Sequence, residues 1–320
     1  MARVLYRPIS IWVLILSCVV LPSIAYTQAP EALPELIDLA WSPDSNFIIG
    51  GGTNGLLRLW DAATGNVLDD FQGISGNVYS VAWSPDSANF VSAGADRLIH
   101  IWDIEAREEI TTLEGHLDII ISTAWSSDGE QIISASFSEE TPDLSLRIWD
   151  ARTYEQLNAV DAGPLTEIAW SPVAQELAIA NLNGYIFVDE VISADFIRRL
   201  EIPDDLIPFS VSWSPDGTSL AVGNYDGTIS IINAAIGDLL TTIEADTSAI
   251  TEIAWSSEGT ILASSSFAGT VKLWNVDTES VIETIQQETV GYAVPIAWNP
   301  NGTQFAYGTA NAEINIIPAP

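Results

Sequence analysis

The sequence predicts an all-β fold, a seven-bladed β-propeller of four-stranded antiparallel blades, and three observations predict it. A short motif recurs seven times, first as Ala40-Trp41-Ser42-Pro43-Asp44, with its tryptophan at 41, 83, 125, 170, 213, 255 and 298. These tryptophans lie 42 to 45 residues apart, and a fixed period near forty residues marks a repeat architecture. Each period holds four short runs of alternating apolar and polar residues between turn signals, the pattern of short strands. One such sheet cannot bury both faces alone, whereas seven set radially cover one another.

The chain opens differently. Its first 30 residues carry Arg3, Arg7 and no acid, and an apolar run extends from Ile9 to Leu21. Small residues frame the exit Ser23-Ile24-Ala25. A basic start, a short apolar stretch and a small-x-small exit describe an export signal over residues 1–25. The run is too short for a membrane-spanning helix, which needs about 20 residues. Cleavage after Ala25 would leave Tyr26–Pro320, a length that seven periods fill. A second reading uses Leu16-Ser17-Cys18, which resembles a bacterial lipoprotein processing site with Cys18 as the lipid-bearing terminus; the apolar Val19-Val20-Leu21 after it argues against that reading. Cys18 is the only cysteine, so the cleaved chain would have no disulfide, thiol nucleophile or cysteine metal ligand.

Within each period the order of elements is the same. An alternating run such as Val78-Tyr79-Ser80-Val81-Ala82-Trp83 makes the first strand. Ser-Pro-Asp follows as a tight turn, proline fixing φ and aspartate bonding back to the backbone. A second strand such as Asn89–Ala93 leads to a Gly- or Asx-rich turn, a third strand ends in Ile101-Trp102-Asp103 or a variant, and a fourth closes the unit. Gly50-Gly51-Gly52 is read as a turn with no following helix to hold phosphate. Only Pro318-Ala319-Pro320 follow the third strand of the last unit, so its fourth strand should come from near residues 22–29, or that blade has three strands.

The endings Leu59-Trp60-Asp61, Ile101-Trp102-Asp103, Ile148-Trp149-Asp150 and Leu273-Trp274-Asn275, with Gly115-His116 ahead of the third unit, resemble the WD40 repeat. The resemblance covers essentially everything after the signal, residues 26–320. It implies a propeller that serves as a platform for protein assembly. It also implies a hydrogen-bonded tetrad of His, Asp, Ser and Trp within a blade, and only the third unit can supply all four: His116, Ser134, Asp143 and Trp149. The second unit has Asp96, Ser92 and Trp102 without a matching histidine, and the fourth, fifth and seventh lack the Trp-Asp ending. Those blades depend on apolar packing.

Formal net charge is −33, and −35 without Arg3 and Arg7. Such a surface repels phosphate backbones and anionic headgroups, which excludes nucleic acid, and bare membrane unless Cys18 is lipidated. No catalytic, metal or cofactor motif appears: HExxH, Gly-x-Ser-x-Gly and phosphate-binding glycine loops are absent. His116 fits the tetrad, and His100 is expected to be solvated or to sit between blades. Asp44, Asp86, Asp128, Asp216 and Glu258 follow the repeated tryptophans and read as turn-stabilising residues. A partner surface is the sharper expectation. The residue before each second-to-third-strand turn is Thr53, Ala95, Phe137, Leu182, Tyr225, Phe267 or Ala310. Four consecutive units carry large apolar groups there, Phe137, Leu182, Tyr225 and Phe267, and Phe209 and Tyr292 approach the same face. Contiguous exposed apolar groups mark interaction sites, although the rings could instead fold back on neighbouring blades.

These observations point to a monomeric, non-catalytic scaffold outside the cytoplasm that binds an unidentified protein partner. The alternatives are a ligand-binding or enzymatic propeller using the central channel, and a cation-binding extracellular acidic protein.

Overall fold

The computed structural model describes residues 35–72, 74–137, 145–190, 198–201, 206–287, 293–309 and 311–320. These form 27 strands and one 3-10 turn, Thr53–Gly55. The strands make seven separate antiparallel sheets, six of four strands and one of three, each sheet built from consecutive strands in simple up-and-down order. Blade 2 shows the pattern: Val78–Trp83, Asn89–Gly94, Ile99–Asp103 and Glu108–Leu113. The seventh blade has Ile296–Trp298, Gln304–Thr309 and Glu313–Pro318 among the described residues. The expected closing strand near residues 22–29 lies outside them.

The first strands carry the ring. Leu36–Trp41, Val78–Trp83, Ile120–Trp125, Leu165–Trp170, Pro208–Trp213, Ile250–Trp255 and Ile296–Trp298 each pack on the first strand of the next blade, and the seventh packs on the first. Buried clusters straddle the seams: Ile49, Leu57 and Leu59 of blade 1 pack with Val78, Trp83, Phe90 and Trp102 of blade 2. Leu36, Leu39 and Trp41 pack with Ala297, Ala306 and Ala312, which closes the ring between blades 7 and 1. Burying apolar area between sheets, at about 25 cal/mol per Å², is the main force joining blades that share no backbone ladder.

Gly50, Gly51 and Gly52 lie in the strand Phe47–Gly52, where the sequence suggested a turn. The reason is space. A Cβ on Gly51 would stand 2.6 Å from Val78 Cγ1 of blade 2, and one on Gly50 would stand 2.9 Å from the Trp60 ring. The glycines let blade 1 approach its own third strand and its neighbour.

The Ser-x-Asp turns repeat the same bonds. Ser42, Ser84, Ser126 and Ser214 each donate their hydroxyl to Oδ1 of Asp44, Asp86, Asp128 or Asp216 at 2.6 Å. Each serine Oγ accepts a backbone N–H five residues on at 2.9 Å. In blade 6 Ser256 Oγ accepts from Ile261 N at 3.1 Å, and Glu258, one methylene longer, sits in the turn where blades 1, 2, 3 and 5 place aspartate.

Candidate functional site

Within blade 3, Ser134 Oγ lies 2.7 Å from His116 Nε2 and accepts the Trp149 indole N–H at 2.9 Å. All three side chains are buried. Asp143, the fourth member expected from the sequence, lies outside the described residues. The same indole-to-serine bond joins Trp102 to Ser92 and Trp274 to Ser264, both at 2.9 Å. Blade 1 has Gly50 where the serine would be.

His100 is not solvated; it shares a strand face with Trp102, which packs at the seam with blade 1. It is 3% exposed, with Nε2 3.0 Å from Asp96 Oδ2 and Nδ1 3.4 Å from Glu109 Oε1, both partners in its own blade. Burial alone would lower this imidazole, but hydrogen bonding to Asp96 and the charges of Asp96 and Glu109 outweigh it and hold it above 6.5. Blade 2 thus builds its polar network from a third-strand histidine.

The turn residues singled out by sequence occupy one structural position. Thr53, Ala95, Phe137, Leu182, Tyr225 and Phe267 each donate their backbone N–H to a carbonyl just before or at the start of the first strand, at 2.9–3.1 Å. On blades 5 and 6 the side chains meet. Phe209 stacks on Tyr225 with ring centroids 5.9 Å apart and meets Phe267 edge-on at 6.3 Å. The three rings are half-buried, as are Phe137 and Leu182 on blades 3 and 4. Tyr292 and Ala310 lie outside the described residues. Phe209 arrives from within the first strand, at a bulge between Pro208 and Ser210, rather than from the preceding turn.

A second ring was missed by sequence reasoning. Three positions before each repeated tryptophan stand Asp38, Ser80, Ser122, Glu167, Ser210, Glu252 and Pro295. Each of the first six accepts a backbone N–H from the next blade: Val81 to Asp38 at 2.7 Å, Thr123 to Ser80 at 2.9 Å, Ile168 to Ser122 at 3.3 Å. Val211 donates to Glu167 at 2.7 Å, Ile253 to Ser210 at 2.9 Å, and Ile296 to Glu252 at 3.0 Å. Pro295 offers no such acceptor to blade 1, and Leu39 N–H turns to Asp38 Oδ1 at 2.8 Å instead. Aligning the seven tryptophans would have exposed this position.

The three carboxyls are perturbed together. Burial pushes Asp38 up to about 7, against the pull of hydrogen bonds from Val81, Leu39 and Ser80. Burial pushes Glu167 up to about 8, with a further rise from the charge of Asp38. Burial and the charges of Asp38 and Glu167 hold Glu252 well above its ordinary range. All three stand at the same position in the first strand of their blades.

A third seam bond uses the repeated tryptophan. The indole N–H of Trp41, Trp83, Trp213 and Trp298 donates to Ala297, Ala40, Ala169 and Ala254 carbonyls of the preceding blade at 3.0–3.2 Å. The indole nitrogens of Trp125, Trp170 and Trp255 are buried without a partner.

Among the described residues no three His, Cys, Asp or Glu side chains converge so as to hold a metal ion. No helix among them is long and apolar enough to cross a membrane.

Comparison with known families gives two matches. The model for the WD domain, G-beta repeat, matches residues 34–61, 65–103 and 107–150. The model for the IFT140 first beta-propeller matches residues 153–296. No curated protein matches the chain.

Proposed function

Because the chain is a WD40-repeat β-propeller, we propose that it works outside the cytoplasm as a non-catalytic scaffold, and that it binds a protein partner through the aromatic face of blades 5 and 6. The observation that carries this reading is the meeting of Phe209, Tyr225 and Phe267, half-buried rings from two blades on one face. Half-buried aromatic clusters supply large contact area at little conformational cost, which suits a binding hot spot. Phe137 and Leu182 extend the same face over blades 3 and 4. The residue 1–25 segment supports export, and the acidic surface favours a partner with neutral or basic contact groups.

The test begins with crosslinking in the native host to identify the partner, followed by titration of purified partner against Phe209→Ala, Tyr225→Ala and Phe267→Ala. Each substitution is expected to weaken binding by about tenfold or more, while leaving thermal unfolding cooperative. Unchanged affinity in all three variants would sink the assignment of this face.

A further inference from the structure

One register position in the third strands sets the charge of each blade's polar layer. It holds Arg58, His100, Arg147 and Lys272 in blades 1, 2, 3 and 6, opposite Gly50, Ser92, Ser134 and Ser264. In blades 4, 5 and 7 the residue is Phe187, Ser230 or Asn315, none of them charged. Arginine and lysine keep their charge near neutral pH, and histidine does not. Blade 2 alone has a cation there that comes and goes.

In blades 1 and 3 that cation ties down the outer strand. Arg58 donates to Asp70 at 2.5 and 2.8 Å, and Arg147 donates to Gln156 at 2.5 Å, each on the fourth strand of its own blade. Glu109 stands opposite Trp102 as Gln156 stands opposite Trp149. His100 and Glu109 therefore repeat the Arg147–Gln156 contact in the same register.

Geometry selects the protonation state that fits. His100 Nε2 lies 3.0 Å from Asp96 Oδ2, and Nδ1 lies 3.4 Å from Glu109 Oε1. Ionised carboxylates only accept, and a neutral imidazole has one N–H. Imidazolium alone satisfies both partners. When one proton leaves, the nearer and more buried Asp96 keeps the other: its side chain is 10% exposed and that of Glu109 33%. Nδ1 then turns a lone pair towards Glu109.

We propose that His100 is a proton-operated clamp on the outer strand Glu108–Leu113 of blade 2: doubly protonated, it holds Glu109 to the third strand, and loss of the Nδ1 proton releases that strand while Asp96 stays bound.

The surroundings leave this task to the histidine. Asn89–Gly94, paired on one side, has no titratable side chain, and Glu108–Leu113, on the other, has Glu108 and Glu109. The turn before the strand carries Asp96 and Arg97, and Arg97 donates to the Leu117 carbonyl. Asp103 ends the strand. Across the seam, Asp69 and Asp70 of blade 1 pair with Arg107 and Arg58. Among the described residues no arginine or lysine pairs with Asp96 or Glu109. Against burial, the bond to Asp96 and the charges of Asp96 and Glu109 hold the imidazole above 6.5. Its contribution is thus complete below about pH 6.5 and is lost as pH rises through the folded value.

The experiment is amide deuterium exchange of the full chain from pH 5.5 to 9, with each rate corrected for the intrinsic pH dependence of exchange. Exchange in Glu108–Leu113 is expected to quicken by about tenfold across the His100 titration, while Gln156–Val160, held by Arg147, does not change. Two variants remove the titration from the contact. His100→Arg copies the cation of blades 1 and 3. Glu109→Gln copies blade 3 and gives Nδ1 a partner that both donates and accepts. Each should flatten the profile. A flat parent, an equal rise in Gln156–Val160, or a rise that survives in either folded variant overturns the proposal. Should neither variant fold, imidazole ¹⁵N shifts of the parent decide: a rise centred on the His100 midpoint upholds the clamp, and one centred elsewhere overturns it.

Discussion

At the scale of a single residue, Ser134 shows how one hydroxyl can organise a blade. Its oxygen accepts the Trp149 indole N–H and its own proton is free to point at His116 Nε2. That arrangement suits a neutral imidazole protonated on Nδ1. Ser134→Ala removes a partner from two buried polar groups, and such a loss costs about 1–3 kcal/mol for each group left unpaired. Ser92→Ala takes a partner from the Trp102 indole alone. Urea unfolding is therefore expected to show a larger loss for Ser134→Ala than for Ser92→Ala; equal losses would mean that the histidine contributes nothing. The repeated tryptophans allow a similar comparison. Trp83 donates across a seam and Trp255 does not. Trp83→Asn would confound packing with bonding, so phenylalanine is the better probe: Trp83→Phe should cost about 1 kcal/mol more than Trp255→Phe. His116, Ser134 and Trp149 were legible because Gly115-His116 stands ahead of a unit that ends in the recurring Trp-Asp pair. His100 was not, because its environment depends on Asp96 and Glu109, which strand pairing brings beside it and sequence spacing does not.

At the scale of the element, the strands were legible and the seams were not. Period-two alternation and Ser-Pro-Asp turns specify each sheet from within about forty residues. A seam joins residues of two periods, and its requirements appear only when sheets are stacked. Gly51 is the case in point. Inside one period it reads as a turn residue, yet its hydrogen faces Val78 of the next blade, where a Cβ would approach to 2.6 Å. Gly223 repeats the arrangement in blade 5, where a Cβ would stand 2.7 Å from Ile250 Cγ2 of blade 6. Overpacking a well-filled core costs typically about 1–3 kcal/mol. Gly51→Ala and Gly223→Ala are each expected to lower the urea midpoint by that much, whereas Gly65→Ala has open space around its Cβ and meets only backbone strain at φ +69. Losses at Gly51 and Gly223 no larger than at Gly65 would refute the seam argument. The aromatic face was legible for the same reason that the seams were not: its residues share one position in every period, so aligning the periods displays them, although the contact of Phe209 with both Tyr225 and Phe267 comes only from the fold.

At the scale of the whole molecule, two sets of carboxyls pull stability in opposite directions with pH. In the turns, hydroxyl and backbone donors hold Asp86, Asp128 and Asp216 below the usual carboxylate range. Their folded values lie below the unfolded one, so their contribution is present above about pH 4 and is lost as pH falls. Asp38, Glu167 and Glu252, raised by burial, behave inversely, and so does His100, whose contribution is lost as pH rises through a folded value above 6.5. The two limbs enclose a maximum, expected between about pH 4 and 6, on the acid side of neutrality where the general repulsion of a −33 chain is also reduced. The acid limb has its own control within the chain. Blade 7 carries Asn301 where blades 1, 2, 3 and 5 carry aspartate, and its Oδ1 accepts the Thr303 N–H at 3.0 Å, as Asp216 accepts that of Thr218 at 3.0 Å. A neutral amide therefore supports the same turn. Asp86→Asn, Asp128→Asn and Asp216→Asn together should leave the Tm near pH 6 little changed and flatten its decline below pH 4, while the fall above pH 6 persists. If the acid limb kept its full slope in that variant, the turn carboxyls would not be its source, and the decline would have to come from the other acids of the surface.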